Sequence, residues 1–363
     1  MSDNKSIFSL SNIETLLDER VQKGIVRGAG TGFRSLNKKW SLKRGYSSSI
    51  FAAAGQGKSI FALEIAMNTA QYQDWKWVIY SPETGNVVEV YLELLWMYHG
   101  IKVEQQTKSQ LSEAKSFVGK HFFVIDFDAN DVMRASASNS EKVKFSSDEK
   151  KLTDPTVDMI YREAFKVEDG LDIKLDGVMI DPLTELSMPN PTNVREDVNY
   201  GQHISKCIRY SKRHNIHSIM TFHTSRQDVK TFNGKAYSDI PAPSQILNGL
   251  MTHRKSYMMI SIWVPPAGLP NPQNDGVAFE PFESIITICK VKPKLMGSKG
   301  QISLFYDPDR NRYYEKDGNS RTYSSMDANK ASDGSESDTS SNQVDLVNLI
   351  HSVEPASLDD NPF

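Results

Sequence analysis

The chain has 363 residues with 39% hydrophobic and 24% charged residues, and its formal net charge is −3. This composition can form the core of one large domain or two small ones, and it excludes a generally basic protein that coats DNA, so any contact with nucleic acid must be local. Cys207 and Cys289 lie far apart in mostly apolar runs, which favours free thiols over a disulfide framework or a metal site. Without an apolar leader or a long apolar span, the sequence predicts a cytoplasmic protein that does not cross a membrane.

An amphipathic helix is predicted over residues 9–24. Ser11 and Glu14 have the spacing of a capping box, and Gly24 is a typical helix end. One face of this helix is apolar and consists of Ile13, Leu16, Leu17 and Val21. A turn rich in glycine follows, so we assign residues 1–30 to an N-terminal linker helix and turn.

Residues 31–315 are predicted to form one α/β domain with a mostly parallel central sheet. Short apolar runs alternate with helical patterns, as is typical of buried parallel strands joined by helical crossovers. The runs are 48–51, 77–80, 122–125, 178–180, 217–222, 258–262 and 285–288. Residues 129–155 are polar and predict a surface excursion. From residue 316 the composition shifts to Ser, Asp, Asn and Gly, which predicts a disordered acidic tail over 316–363.

A phosphate-binding loop is predicted where residues 52–59 read Ala-Ala-Ala-Gly-Gln-Gly-Lys-Ser. The segment follows an apolar run and opens a helical one, which is the strand–loop–helix context of a P-loop. Lys58 can reach the β- and γ-phosphates of ATP and the Ser59 hydroxyl can bind Mg²⁺, whereas Ala52 replaces the usual first glycine. The predicted nucleotide-binding residues are Ala54, Gly55, Gln56, Gly57, Lys58 and Ser59.

Two carboxylates complete this predicted site. Asp181 directly follows the apolar run 178–180, a position from which its carboxylate can hold Mg²⁺ through water. The alternative is a turn aspartate before Pro182. Glu83 follows the run 77–80 and can activate the attacking water; the alternative is an exposed loop glutamate.

These motifs, in their order and spacing, resemble the RecA-type motor domain of DnaB-like replicative helicases. Residues 31–36 (Thr-Gly-Phe-Arg-Ser-Leu) resemble the "TGF-x-x-L" start of that domain, and residues 52–59 resemble its Walker A loop, which also often lacks the first glycine. Ser81-Pro82-Glu83 stands where the family has "SLE" with its catalytic glutamate. Asp181-Pro182-Leu183 stands where it has the Walker B "IDYL". The resemblance covers residues 10–315, without the family's N-terminal collar.

The resemblance implies further roles. His223 stands in place of the family's glutamine that senses the γ-phosphate, and Lys290-Val291-Lys292 stands in place of a "K-x-R" pair that reaches into the neighbouring subunit's site. His223 can titrate near neutral pH, and Lys292 lacks the planar fork of an arginine. The helix over 9–24 matches a linker helix that packs on the adjacent motor domain; the alternative is a helix folded on its own domain. The implied activity is ATP hydrolysis driving 5′–3′ unwinding by a homo-oligomeric ring, a hexamer, of phage type.

Contacts with single-stranded DNA are predicted in the segment that follows the apolar run 217–222 and His223. Residues 226–238 form a polar loop that carries Arg226, Lys230 and Lys235, and a ring or filament ATPase directs such loops at the axis, where lysines and main-chain N–H groups follow phosphates. Residues 245–249 match a second loop of the family, in which the glycine, here Gly249, and exposed main-chain N–H groups contact phosphates. A solvated loop without this role is the alternative.

The end of the chain suggests a partner. Asp359-Asp360-Asn361-Pro362-Phe363 resembles the terminal peptide of bacterial single-stranded-DNA-binding proteins, which recruits replication partners through a terminal ring and carboxylate; chance is the alternative. Two other functions stay open: a recombination or annealing ATPase that forms filaments on DNA, and a KaiC-like regulatory ATPase that binds protein.

Overall fold

The computed structural model describes residues 9–23, 27–127, 155–189, 194–225, 228–246, 249–294 and 297–324. Residues 325–363, and with them the predicted C-terminal peptide, lie outside the described residues, as does most of the predicted excursion over 129–155.

A single mixed sheet organises the described residues. Its strands are β1 (Ser47–Ala52), β2 (Trp77–Tyr80), β3 (Phe122–Val124), β4 (Gly177–Ile180), β5 (His217–His223), β8 (Met258–Trp263), β9 (Glu283–Val291), β10 (Gly300–Asp307), β11 (Arg312–Asp317) and β12 (Ser320–Thr322), while β6 (Lys230–Phe232) and β7 (Lys235–Tyr237) form a separate hairpin. The order in the sheet is β12-β11-β10-β9-β8-β1-β5-β4-β2-β3. All strands from β3 to β8 along the sheet pair in parallel, so their carboxyl ends meet at one edge.

Helices cover both faces of the parallel strands. The helices are α1 (Leu10–Lys23), α2 (Arg34–Asn37), α3 (Lys58–Gln73), α4 (Val87–His99), α5 (Lys108–His121), α6 (Val157–Leu171), α7 (Glu196–His214) and α8 (Gly249–Lys255). One core cluster joins the sheet to α3, α4 and α5, and a second joins its other face to α6 and α7. Strands β1, β2, β4 and β8 are buried at every position because both faces are covered, which is why β2, β4 and β8 consist mostly of apolar residues. Strand β1 begins instead with three buried serines, Ser47 to Ser49.

Every apolar run predicted as a strand forms one, but the run 285–288 does not continue the parallel part. It belongs to β9, which pairs antiparallel with β8. The segment between them, 264–282, contains turns and an isolated bridge but no helix, so it cannot make a crossover and the chain returns directly. Strands β10, β11 and β12 extend the sheet in the same antiparallel manner.

The sheet also continues past residue 315, where we expected the tail to begin. Strand β11 runs to Asp317, β12 follows, and Ser324 is buried. These residues have a polar composition, but pairing with β11 satisfies their main-chain groups without a hydrophobic run. Composition therefore placed the boundary too early.

The N-terminal helix has the predicted extent and exposes its apolar face. Leu10, Leu16 and Val21 are 65%, 65% and 73% exposed, respectively. Beyond this helix, residues 27–30 already join the sheet domain, since Ala29 bridges Leu42. An exposed apolar stripe of this kind is stabilised when it packs on another surface.

Candidate nucleotide-binding site

The loop between β1 and α3 has the conformation of a phosphate-binding loop. Ala52 ends β1 in register with His223, so this position is extended and does not need the usual glycine. Gly55 and Gly57 have φ angles of 74° and 78°, which side chains rarely adopt, and helix α3 begins directly after them at Lys58. The main-chain N–H groups of the loop and the first turn of α3 can therefore face one anion.

Lys58 brings the loop to the carboxylates of the neighbouring strands. Its side chain is 7% exposed, and its Nζ lies 2.8 Å from Glu83 Oε2 and 4.0 Å from Asp181 Oδ1. The three residues follow β1, β2 and β4, whose carboxyl ends lie at the same edge of the sheet. The predicted P-loop lysine, Walker B aspartate and catalytic glutamate thus form one cluster.

Asp181 is held by hydroxyl groups on both sides. Thr221 Oγ1 donates to Asp181 Oδ1, and Ser81 Oγ donates to Oδ2 at 2.9 Å. Ser81 also shares a hydrogen bond with Thr84 Oγ1 at 2.7 Å. Hydrogen bonds to both oxygens fix the orientation of a buried carboxylate. Asp181 lies in a turn directly after β4, before Pro182, and it is 1% exposed, so its carboxylate is held by these hydroxyl groups inside the domain.

Glu83 is shared between Lys58 and His223. His223 Nε2 donates to Glu83 Oε1 at 2.6 Å, while Lys58 occupies the other carboxylate oxygen. Partial burial opposes ionisation of Glu83, but the hydrogen bonds from Lys58 and His223 outweigh it and lower its pKa. Glu83 is therefore a carboxylate at neutral pH, which is the form that accepts a proton from water.

The cluster fits a nucleoside triphosphate with a divalent ion. A Cβ placed on Gly55 would meet nothing within 4 Å, so there is open space beside the loop at this residue. Among the described residues, no group of three or more His, Cys, Asp or Glu side chains can hold a metal by itself. A cation between Ser59 and Asp181 would thus need further oxygen ligands, such as phosphate oxygens, and Mg²⁺ prefers this shared coordination.

Two supports of the loop were not predicted from the sequence. The Tyr313 hydroxyl donates to the Gly57 carbonyl at 3.5 Å, and a Cβ on Gly57 would lie 2.7 Å from that hydroxyl. Gln56 Oε1 accepts a hydrogen bond from the Val264 main-chain N–H at 2.5 Å. Both partners lie more than two hundred residues away along the chain, so no local pattern could have indicated them.

The pair Lys290 and Lys292 lies at the opposite edge of the sheet. The Lys292 N–H donates to the Tyr257 carbonyl at 2.8 Å, which places it level with the first residue of β1. The P-loop follows the last residue of β1, which is about 17 Å farther along the strands at ~3.3 Å per residue. Lys292 is exposed, whereas Lys290 is buried and its Nζ donates to the carbonyls of His253 and Arg254. Neither lysine reaches the P-loop of its own chain.

The predicted DNA-binding residues fall in different environments. Strands β6 and β7 form a hairpin with Asn233 and Gly234 at positive φ in its turn, and Lys230 and Lys235 are exposed on it. Lys230 pairs with Asp239 at 2.6 Å, and this hydrogen bond raises the pKa of Lys230. Arg226 lies outside the described residues.

Gly249, the last residue of the second predicted DNA-binding loop, has no room for a side chain. It is buried at the start of α8, and a Cβ there would lie 2.3 Å from the Pro243 carbonyl oxygen. Close packing of the main chain therefore favours glycine at this position. Residues 247–248 of the same loop lie outside the described residues.

Among known proteins, similarity to this chain is found in solved structures and not in sequence. No family model and no curated protein matches the chain. The ATPase domain of a phage protein superposes with a TM-score of 0.61 at 16% identity, covering 86% of this chain and 100% of that chain. The structure of a DnaB-like replicative helicase, described with its interactions with primase, gives a TM-score of 0.58 at 16% identity, covering 86% of this chain and 68% of that chain.

The chain has the RecA-like ATPase fold of DnaB-like helicase domains. The predicted fold class, α/β with a mostly parallel sheet, is therefore confirmed. At this level of identity the likeness concerns the fold, and function must be argued from the site. In the described part of the chain, no helix is both long enough and apolar enough to cross a membrane.

Proposed function

We propose that the protein is an ATP-driven DNA helicase that moves along single-stranded DNA in replication. Its subunits form a ring, a hexamer by resemblance, with ATP and Mg²⁺ bound between neighbouring subunits. Movement is proposed to run 5′ to 3′. The protein acts in the cytoplasm, which is that of the bacterial host if the chain is encoded by a phage.

One observation carries this proposal: the lysine pair and the P-loop occupy opposite edges of the sheet. Lys58 lies with Asp181 and Glu83 at the carboxyl edge, while Lys292 is exposed at the other edge. A site that uses both must combine two subunits. We therefore place hydrolysis at subunit interfaces, where each subunit is proposed to supply a P-loop to one neighbour and Lys292 to the other.

The residues of the carboxyl edge have distinct proposed roles. The loop N–H groups and Lys58 bind the triphosphate, and Ser59 with Asp181 holds Mg²⁺. When bound, Mg²⁺ neutralises charge on the phosphates. Glu83 orients the attacking water and accepts its proton, and His223 fixes the Glu83 carboxylate by its 2.6 Å hydrogen bond.

Phosphate binding requires Lys58 to change partner. In the structure the Lys58 ammonium pairs with Glu83 at 2.8 Å. A lysine bound to phosphate oxygens shares its charge with them, and its hold on Glu83 weakens. The glutamate is then available to water, so the same cation couples triphosphate binding to activation of the base.

Two surfaces support assembly and DNA binding. The exposed stripe of α1 is proposed to pack on the adjacent subunit, as a linker helix does, and it is apolar and uncovered along Leu10, Leu16 and Val21. The hairpin with Lys230 and Lys235 is proposed to follow the DNA backbone, since a solvent-exposed ion pair such as Lys230–Asp239 contributes little to stability and Asp239 can be exchanged for a phosphate. Arg226 and the loop ending at Gly249 are proposed to accompany it.

Strand-displacement and imaging experiments test the proposal. The purified protein should hydrolyse ATP faster with single-stranded DNA and separate a labelled forked duplex that has a free 5′ arm. Lys58→Ala should abolish both activities, whereas Lys166→Ala, which removes an exposed lysine of α6, should leave them unchanged. Negative-stain images with ATP and DNA should show closed rings. Filaments without unwinding would favour a recombination ATPase, and rings indifferent to DNA would favour a regulatory ATPase.

A further inference from the structure

A cavity lies between the β6–β7 hairpin and the segment 264–282 that follows β8. Its volume is about 410 Å³, which is within the range of about 300–1,000 Å³ that is typical of small-ligand sites. Strands β8, β9 and β10 contribute Trp263, Ile285 and Gln301, and the hairpin contributes Lys230 and Tyr237. None of the described residues that line the cavity belongs to the P-loop or to the two carboxylates beside it. The cavity is therefore a site separate from the nucleotide-binding cluster.

The wall opposite the hairpin is fixed by main-chain hydrogen bonds. The Gly268 N–H donates to the Phe279 carbonyl at 2.8 Å, and the Phe279 N–H donates to the Leu269 carbonyl at 2.9 Å. This turn approaches the hairpin closely, since a Cβ on Gly268 would lie 3.7 Å from the Phe232 ring. Both walls are thus held by contacts within the chain, so a ligand can bind without a large cost of ordering them.

The interior of the cavity is aromatic. The rings of Trp263 and Phe279 are perpendicular, with their centroids 5.4 Å apart, and both residues are buried. Trp263 Nε1 donates to the Ser238 carbonyl at 2.7 Å, which fixes the indole and ties the end of β7 to β8. Tyr237 packs against this pair but is only partly buried. A flat ring that enters the cavity can therefore stack on Tyr237 and pack against the buried pair.

The rim of the cavity is polar and carries one cation. Asn271, Gln273 and Gln301 line it, and side-chain amides both donate and accept hydrogen bonds, as the edges of nucleobases require. Lys230 also lines it and pairs with Asp239 at 2.6 Å, where the two side chains are 50% and 68% exposed. A phosphate that replaces Asp239 on Lys230 belongs to a nucleotide whose base is only one sugar away. Such a base reaches the mouth of the cavity.

We propose that this cavity receives a nucleobase of the single-stranded DNA whose phosphates the β6–β7 hairpin binds. The inference rests on the proposed function and adds a base-binding site to a hairpin that was assigned backbone contacts alone. Tyr237 stacks on the base, Lys230 holds the adjacent phosphate, and the amides of Gln273 and Gln301 bind the base edge. Because every base has a face that stacks, the site accepts any sequence. The adenine of ATP has the same chemistry, and the experiment distinguishes the two sources.

Fluorescence anisotropy with oligothymidylate and with an abasic strand of the same length tests the proposal. The wild type should bind the abasic strand at least ~5-fold more weakly, because stacking of each base on an aromatic ring contributes about 1–3 kcal/mol. Tyr237→Leu should lose this preference by weakening only the binding of oligothymidylate. Tyr237→Phe keeps the ring and should keep the preference. The preference should also persist as salt rises, since counterion release weakens the binding of both strands alike.

Gln273→Ala supplies a second variant, because this exposed residue of the rim does not support the fold. It should reduce the preference for oligothymidylate, and it decides the test if Tyr237→Leu binds both strands poorly through a disturbed hairpin. Equal wild-type affinity for the two strands, or an undiminished preference in Gln273→Ala, would overturn the inference. So would a Tyr237→Leu protein that binds ATP more weakly without DNA but retains the preference, since the cavity would then hold the base of ATP. A wild type that binds neither strand would instead overturn the proposed function.

Discussion

Glu83→Gln should separate ATP binding from ATP hydrolysis. The substitution removes the carboxylate that is proposed to accept the proton from water, and general bases contribute about 10²- to 10⁴-fold to rate. It also removes the ion pair that engages Lys58 at 2.8 Å. We therefore expect kcat to fall at least ~100-fold while affinity for ATP rises.

The size of the affinity gain follows from exposure of the pair. Lys58 is 7% exposed and Glu83 33% exposed, so solvent screens the pair from one side. A partly screened pair of this kind contributes about 1 kcal/mol, near the upper end for exposed pairs. Freeing Lys58 from this competition should tighten ATP binding about fivefold.

Single-turnover hydrolysis and isothermal titration with ATP and Mg²⁺ measure the two effects separately. Glu163→Gln is a matched control, because Glu163 also pairs with a lysine at 2.8 Å but lies on α6. It should change neither quantity. A near wild-type hydrolysis rate in Glu83→Gln would refute the assignment of the base. Weaker ATP binding would refute the competition between Glu83 and phosphate for Lys58.

Four further outcomes are expected. Mixing Lys58→Ala with Lys292→Ala subunits should restore some hydrolysis at interfaces with an intact P-loop and an intact Lys292; no rescue in confirmed mixed rings would contradict action between subunits. Deleting residues 1–24 should impair ring assembly in size-exclusion chromatography more than ATP binding, and full-size rings at low concentration would contradict this. Truncating the last ten residues, which lie outside the described residues, should preserve ATPase activity and abolish binding of a replication partner. If DNA binding becomes tighter instead, the tail acts as a mimic of DNA. If neither binding changes, the resemblance of residues 359–363 to the terminal peptide is a coincidence. Between pH 7 and pH 5 the wild type should lose about 2 kcal/mol more unfolding free energy than His217→Gln.

The last of these outcomes follows from the network around His217. Burial lowers its pKa from 6.5 to about 4. Its Nδ1 donates to the Lys43 carbonyl at 2.9 Å, and Nε2 accepts from Ser48 Oγ at 3.0 Å, which in turn accepts from Trp40 Nε1. Because the folded pKa is depressed, the stabilisation is present above pH 6.5 and is lost as pH falls toward 4. An equal loss in His217→Gln would place the effect elsewhere.

The sequence by itself determined the chemistry of the site and most of the parallel sheet. Lys58 and Asp181 were predictable because each follows an apolar run, and carboxyl ends of parallel strands share an edge. Glu83 was predictable for the same reason, and the structure brings all three together. These signals are local: a strand, the polar residue that ends it, and the glycines of a tight loop occupy a few consecutive positions.

Only the tertiary structure decided how distant segments meet. The order of the strands sets His223 beside Glu83, the direction of β9 sends Lys290 and Lys292 to the edge away from the P-loop, and β11 brings Tyr313 against Gly57. Burial of Lys290 against α8 depends on the same return of the chain. Apolar periodicity records which positions are covered but not which strand or helix covers them, so contacts between segments far apart in the chain are settled when the whole core packs.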